Sequence, residues 1–477
     1  MIYYLGIEYT GLGSLFTSIL QVLSLAELGI GHALVFGMYK PVAEENYLKV
    51  NAYLNFCKKC YKVIGGVILV VGLLLLPFLP KLVSGNVPVD VNLYVLYLIY
   101  LFNTVISYFL YAYKTCVLTA TQHTDIINQI QLVCLFGSQL FSAIFLLLFK
   151  NYYLYSICIP ASTIANNLLV NRIVVSKFPE IQSEGQLEHD EIANIKEIVF
   201  GMVFQKIGSV VLSSVDSIVI SAFLGLTILG KYNNYYYIVS ALFGFMNVIV
   251  TSLVPSVGNS IQTQNIETNY KLFRTFSFIY AWITIWCSAC LLSLYQPFMK
   301  LWVGESNMLD FRIVVLLVIY FIVWKLVDPA YIFRDAAGSW NKCIPLIAAA
   351  VNLISNIILV QYIGLQGIVI STIVAFGLIY IPFFSYPLFK TVFKSKSKYY
   401  TYIFDQVKYL LIAALVDTAT FYVCKYIPGE TVTGLVLKAG ICIIVPNVIL
   451  IVVFFKTKDY QKTMHFCKKR FDVKISR

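Results

Sequence analysis

A small set of ionisable side chains stands inside long apolar runs of this chain, where charge is expensive and chemistry is sought first. Glu27 and His32 lie in the run from about Gly11 to Gly37, Lys206 and Asp216 in the run Ile198–Leu224, and Lys325 and Asp328 in the run Phe311–Phe333, with Arg334 at its end. An ionisable group at membrane depth faces a cavity, a partner or an interface, so all seven are candidates for binding a substrate or a coupling ion. On one helix Glu27 and His32 would point about 140° apart, at roughly 100° per residue, so they do not make a simple pair. Glu27 reads as a cavity-lining proton or headgroup site or, with equal weight, as a hydrogen-bonding group between helices; His32 reads better as structural. Lys206 and Asp216 would stand about 15 Å apart along a helix axis, too far for a direct ion pair. Lys206 can snorkel to the nearer surface, whereas the deeper Asp216 reads as a central-cavity group slightly ahead of a purely structural one. Pro329 directly follows Asp328. Proline removes a backbone donor and bends its helix, and a kink flanked by charges suits a moving part of a transporter, although static bundles contain such kinks as well.

The elements that must hold these residues follow from composition. The 477 residues are 59% hydrophobic and 12% charged, with a mean hydropathy of +0.80, against a charged fraction of about 25% in soluble domains. Apolar runs of roughly the 20 residues that cross a bilayer recur from end to end. The expectation is an all-α polytopic membrane protein of about thirteen helices. They fall near Gly11–Gly37, Tyr61–Val83, Val91–Leu118, Ile126–Phe149, Tyr152–Val175, Ile198–Leu224 and Tyr232–Val257, then Leu272–Leu294, Phe311–Phe333, Ile344–Val360, Gly367–Leu388, Tyr402–Tyr426 and Val432–Phe455.

The net charge of +12 reads as topology rather than as a nucleic-acid footprint. Lys40, Lys49, Lys58, Lys59 and Lys62 follow the first helix, and Lys390, Lys394, Lys396 and Lys398 follow the eleventh. Most of the basic tail after Phe455 falls on the same face. The opposite face holds only Lys81, Lys150, Lys231, Lys300, Arg312, Lys425 and Lys438. The rich face is therefore cytoplasmic, the carboxyl terminus is inside and, with an odd number of helices, Met1 is outside. The connectors Lys40–Tyr61 and Lys390–Tyr402 mix lysines with aromatics and suit the cytoplasmic interface.

Several function classes lack their residues. Cys57 and Cys60 form a C-K-K-C with no second pair to complete a zinc site, and the other cysteines sit mostly in apolar segments. There is no GxxxxGK[ST] loop, no paired-carboxylate motif in an outer loop and no large outer loop. The reading is a transporter without a metal or cofactor, not an enzyme; a membrane glycosyltransferase or polymerase would need groups that are absent. No cleavable signal peptide is visible.

The chain also repeats itself. Leu5-Gly6 is followed by Gly11 and a long helix, and Leu224-Gly225 by Gly230 and a long helix. Both pairs fall on the non-cytoplasmic face, so the two helices run in the same direction and imply a parallel repeat of two similar halves. A whole helix precedes the second pair, whereas only Met1-Ile2-Tyr3-Tyr4 precede the first. The division expected is a lobe over 1–178 missing its first helix, a cytoplasmic linker over 179–197, a second lobe over 198–390, and two additional helices with a basic tail over 391–477.

Three stretches carry a resemblance: LGIEYTGLGSLFTSILQVLSLAELGIGHAL at Leu5–Leu34, SVDSIVISAFLG at Ser214–Gly225, and FRDAAGSWNKCIPLIAAAVNLISNIILVQYIGLQGIVISTIVA at Phe333–Ala375. The chain resembles the bacterial polysaccharide flippases (Wzx-type O-antigen and capsule exporters) of the MOP superfamily. The resemblance implies two six-helix lobes that open alternately inward and outward, followed by two further helices. It implies movement of an undecaprenyl-pyrophosphate-linked oligosaccharide across the cytoplasmic membrane for surface polysaccharide or lipopolysaccharide synthesis. A cationic cavity would hold the headgroup, membrane lipids would surround it, and a proton or sodium gradient would drive it. By motif position Arg334 falls in the family's basic element after its tenth helix, and Lys206 and Asp216 in the first helix of the second lobe. The superfamily also holds cation-coupled multidrug exporters, which is the alternative. The family's first helix has no counterpart here, which implies a start assigned too late or a truncated, inactive copy.

The charge count makes a direct prediction. In a cysteine-free background, Lys150→Cys reacts with a membrane-impermeant thiol reagent added to intact cells, and Lys58→Cys reacts only after permeabilisation. The reverse pattern would invert the orientation.

Overall fold

The computed structural model describes residues 1–27, 29–85, 87–338, 343–429 and 431–464. Among them every regular element is helical: α1 (Ile7–Leu23), α2 (Ile30–Ala43), α3 (Tyr47–Leu75), α4 (Leu93–Phe109), α5 (Thr115–Ala120), α6 (Thr124–Phe149), α7 (Tyr152–Lys177) and α8 (His189–Leu224) come first. They are followed by α9 (Leu226–Thr263), α10 (Ile266–Val303), α11 (Phe311–Lys325), α12 (Asp328–Ala336), α13 (Ile344–Val374), α14 (Ile381–Thr391), α15 (Lys396–Lys425) and α16 (Val432–Phe454). Residues 339–342 of the third resemblance motif, Leu28 of the first, and the basic tail from His465 lie outside the described residues.

Among the described residues, eleven helices are long and apolar enough to cross a membrane, or twelve if the bent pair Leu93–Phe109 and Ala112–Ala120 counts as one span. This is a multi-pass membrane protein. The expected thirteen is not reached by that count, because Ile344–Thr391 enters it as a single run of 48 residues. That run is not straight. Gly364 within it has φ of 59°, Asn352 donates to Thr372 Oγ1 at 2.9 Å, and Ser371 donates to Asn356. Residues so far apart in sequence meet only where the run doubles back as two antiparallel arms.

Other sequence boundaries are corrected for local reasons. The first apolar run is two helices: α1 passes into a 3-10 turn at Ser24–Glu27, and Gly29 takes a left-handed φ of 80°. Glu27 and His32 therefore do not share a helix, and the angle expected between them does not apply. The third breaks by 51° beside Tyr111, a non-glycine residue at φ 57°. The connector after Lys40 is mostly helix, because α3 begins at Tyr47 behind the Asn46 cap, whose side chain accepts from the Lys49 N–H. The helix expected from Ile198 begins at His189, where Glu188 and Glu191 form a capping box.

The chain forms two compact units, one of Met1–Gly230 with Pro345–Ala349, the other of Lys231–Ile344 with Ala350–Arg477. The first has an apolar core in which Leu34 and Met38 of α2 pack with Leu54 and Cys57 of α3, Cys116 and Val117 of α5, and Val170 and Val174 of α7. The second turns on Phe273 of α10, whose ring meets Phe333 at 5.3 Å, Phe389 at 5.5 Å, Phe393 at 5.2 Å and Tyr402 at 5.7 Å. One aromatic hub thus ties α12, α14 and α15 to α10. Two further fastenings hold the last helices there. Trp282 donates to Asn447 at 2.8 Å and Trp286 to the Cys442 carbonyl at 2.9 Å. Arg274 reaches Asp405 at 2.6 Å and Asp459 at 2.5 Å.

The repeat reappears as a contact inside the first unit. A Cβ added at Gly11 would collide with the carbonyl of Leu226, and one added at Gly230 with the carbonyl of Ile7. Those positions correspond under the repeat, as do Glu8 and Thr227, and Thr227 donates to Glu8 at 2.9 Å. Reciprocal contacts of this kind mark a local twofold relation, with the Glu8–Thr227 bond at its axis. Each glycine is needed so that two backbones can approach.

Gly11→Ala and Gly230→Ala are each expected to destabilise by about 1–3 kcal/mol, the usual cost of overpacking. Because both open the same contact, the double variant should lose clearly less than the sum of the two. Unfolding of the detergent-solubilised protein measures this; strict additivity would show that the two glycines act independently.

Candidate substrate site

In the second unit the interrupted helix α11–α12 supplies three of the seven candidates, Lys325, Asp328 and Arg334. Its hydrogen-bond ladder is interrupted at Leu326–Val327, and Pro329 occupies the first turn of α12, where its missing N–H costs nothing. Lys325 and Asp328 flank the interruption as an i,i+3 pair. Lys325 Nζ lies 3.0 Å from Asp328 Oδ2, with the two residues only 4% and 7% exposed. The ammonium also stands 4.7 Å above the Phe243 ring of α9, a cation–π contact that gains strength when desolvated. Phe243 stacks on Trp324 at 5.6 Å and on Phe321 at 5.7 Å, and Trp324 lies 3.8 Å from Phe376. The ion pair is therefore walled by aromatic rings from α9, α11 and the segment after α13.

Arg334, 1% exposed, is the largest side chain buried this deeply. It donates to the Phe384 carbonyl of α14 at 2.8 Å, and its guanidinium lies 3.9 Å over the Phe384 ring. Tyr380 and Tyr331 stack on the same ring, at 4.6 and 6.1 Å. Both Phe376 and Tyr380 belong to a π-helical turn at Ala375–Tyr380 between α13 and α14. Such turns leave backbone groups less regularly bonded and are frequent at functional sites. An aromatic-walled enclosure carrying one fixed cation, one ion pair and a nearby π turn can receive an anionic or ring-bearing ligand.

The other candidates are in the first unit and are not gathered in the same way. Glu27 ends the 3-10 turn and accepts from Tyr108 Oη at 3.3 Å; Gly31 faces both its carboxylate and Tyr61 Oη. His32 and Lys206 are exposed, and Asp216 is buried on α8 at 9% exposure.

Two buried polar centres were missed in the sequence. Asp417, mid-way along α15 and 4% exposed, accepts from Ser288 of α10 at 2.9 Å. The only signal for it was a lone carboxylate in an apolar window, the same one that singled out Asp216. The Arg274–Asp405–Asp459 clamp, joined by Lys408 at 2.7 Å, gave no signal, because its members are 131 and 185 positions apart.

No protein-family model matches the sequence, and no curated protein matches it. Solved structures do. One is the inward-facing conformation of a multidrug resistance MATE family transporter of the MOP superfamily, with TM-score 0.63 and 11% identity, covering 86% of this chain and 92% of that one. Another is the lipid II flippase MurJ in an inward closed conformation, with TM-score 0.58 and 16% identity, covering 94% of this chain and 97% of that one. The fold is shared with both. At these identities the likeness is one of fold; both neighbours are transport proteins rather than enzymes, and the aromatic enclosure around Lys325 and Arg334 belongs to a chain with their architecture.

Removing one member of a buried ion pair leaves the other uncompensated, at a cost of about 3–5 kcal/mol, whereas replacing both with apolar groups is often neutral. Lys325→Met alone is therefore expected to destabilise strongly, and Lys325→Met with Asp328→Leu to recover most of the loss. Denaturant unfolding in detergent checks this. A double variant as unstable as the single one would mean that the pair is not coupled.

Proposed function

We propose that this chain is a flippase that moves an undecaprenyl-pyrophosphate-linked oligosaccharide across the bacterial cytoplasmic membrane, with its carboxyl terminus inside. The observation that carries the reading is an apolar groove of about 470 Å³ among α9, α10 and α16, lined by residues that include Leu242, Trp286, Leu291, Phe298, Leu435 and Ala439. A substrate that is half hydrocarbon needs such a seat beside its headgroup site; a small water-soluble substrate does not. Lipid tails are already as apolar as the groove, so seating one gains packing and position rather than hydrophobic free energy. The fold shared with a lipid II flippase over 94% of this chain supports the same reading.

In this proposal Arg334 and Lys325 supply positive charge for the pyrophosphate, and the stacked aromatics face the sugars. Glu27, Asp216 and Asp328 are the proton- or sodium-responsive carboxylates, and His32 is a structural neighbour of Glu27. Protonation of Asp328 would free Lys325 to bond a phosphate oxygen, which links ion uptake to substrate binding at one pair of side chains.

A cation-coupled drug exporter is the second reading, favoured by the ring stack of Phe243, Trp324 and Phe376 beside a buried carboxylate and by the fold shared with a MATE transporter.

The test is transfer of a fluorescent prenyl-pyrophosphate oligosaccharide across proteoliposomes holding the full chain. Transfer is expected, and Ala439→Trp, which fills the groove, should slow a long-prenyl substrate about tenfold while sparing a short-prenyl one. Equal slowing of both would remove the groove from the mechanism. No transfer of either substrate, with efflux of cationic dyes instead, would favour the exporter.

A further inference from the structure

The spans Ile344–Thr391 and Lys396–Lys425 are separated by a few residues, so the connector between them lies at a membrane surface whichever way the protein is oriented. The chain turns there at Lys394, which has a left-handed φ of 48°. A cavity of about 230 Å³ opens at this turn, lined by Lys390, Lys394, Lys396, Ser395, Tyr386 and Tyr399, with Phe389 beneath them.

Its walls are fixed by contacts that have nothing to do with the lysines. Tyr399 donates to the Pro382 carbonyl at 3.2 Å and meets Tyr386 edge-on at 5.3 Å. Phe389 packs on Tyr399, on Tyr402 and on the Phe273 hub. Ser395 is committed to capping α15, accepting from the Lys398 N–H at 3.3 Å. The cavity is built before anything enters it.

The charge inside is uncompensated. Neighbouring Lys398 shows what a satisfied lysine looks like here: its ammonium is 2.5 Å from Glu267 and 4.4 Å over the Tyr270 ring. Among the described residues, Lys390, Lys394 and Lys396 have no carboxylate within ion-pair distance, and all three are exposed. Three cations held around one small cavity repel one another, and a multiply charged anion between them relieves that repulsion. Position selects its source. Phe383 and Tyr400, 60% and 68% exposed, flank the connector as interfacial aromatics do, so an anion arriving here is surrounded by headgroups with acyl chains below.

We propose that the cavity at Lys390, Lys394 and Lys396 is a binding site for the phosphate of an anionic phospholipid headgroup, with preference for a phosphate monoester over a diester. The site is separate from the Lys325–Arg334 enclosure and does not depend on what the protein transports.

The test titrates purified full-length protein in detergent with short-chain phosphatidic acid, phosphatidylglycerol, phosphatidylcholine and inorganic phosphate. Phosphatidic acid is expected to bind tightest, phosphatidylglycerol more weakly and phosphatidylcholine not at all. The variant Lys390→Gln/Lys394→Gln/Lys396→Gln should bind phosphatidic acid at least tenfold more weakly, with thermal unfolding unchanged because all three side chains are exposed. Lys456→Gln/Lys458→Gln/Lys462→Gln, which removes the same charge elsewhere, should retain wild-type affinity. Equal loss in both triple variants, or no loss in the first, would overturn the site. Inorganic phosphate binding as tightly as phosphatidic acid would overturn its assignment to a lipid.

Discussion

Inside hydrocarbon, a backbone amide, a carbonyl or a charged side chain has only the protein to bond to. Straight helices meet that demand without help. These helices are not straight, and each departure needs a local answer. At the α11–α12 break the answer is an ion pair, Lys325 with Asp328, backed by the Phe243 ring. At the doubling-back of Ile344–Thr391 it is a buried amide and hydroxyl network, Asn352 with Thr372 and Asn356 with Ser371. Beyond the π turn, Arg334 reaches from α12 to the Phe384 carbonyl in the first turns of α14. Polar residues singled out as possible chemistry thus stand beside departures from straight helix, where their side chains bond one another or a carbonyl.

That double duty explains what could be read from the sequence. Pro329 directly follows Asp328, so a kink flanked by charges was legible from the sequence, whereas the Lys325–Asp328 ion pair came from the structure. The glycines at positions 11 and 230 were legible as a repeat, and their reciprocal contact follows from it. The break between α1 and α2 was not. Gly29 sits in an apolar run with no proline and no polar interruption strong enough to mark an end, so Glu27 and His32 looked like neighbours on one helix. Lys206 and Asp216 were legible as buried-run charges, but nothing in their spacing says what faces them. The Arg274 clamp was invisible for a different reason: ion pairs between remote segments leave no period behind, and each member looks like an ordinary interfacial charge.

The two last helices are tied down unusually well for appended elements. Indole donors from α10 reach α16, a guanidinium from α10 reaches both α15 and the residues after α16, and Ser288 of α10 meets Asp417 of α15. These bonds tie α16 to α10 beside the groove that Trp286 helps to line. A groove between loosely associated helices would close, because dispersion favours contact over a void.

A buried ion pair contributes little net stability, since desolvating two charges offsets most of their attraction. This is usually an argument against buried pairs, but it agrees with the exchange of partners that the proposed function asks of Lys325. If Asp328 contributes little beyond neutralising Lys325, then exchanging it for a phosphate oxygen of similar charge and geometry also changes little in the protein's own energy. The exchange can then be driven by a modest input, such as one proton arriving at Asp328. Arg334 differs: its guanidinium donates to the Phe384 carbonyl and lies over the Phe384 ring. In the proposed function, Lys325 is the cation that a proton at Asp328 would release, and Arg334 is the one anchored on α12 by the Phe384 carbonyl and ring.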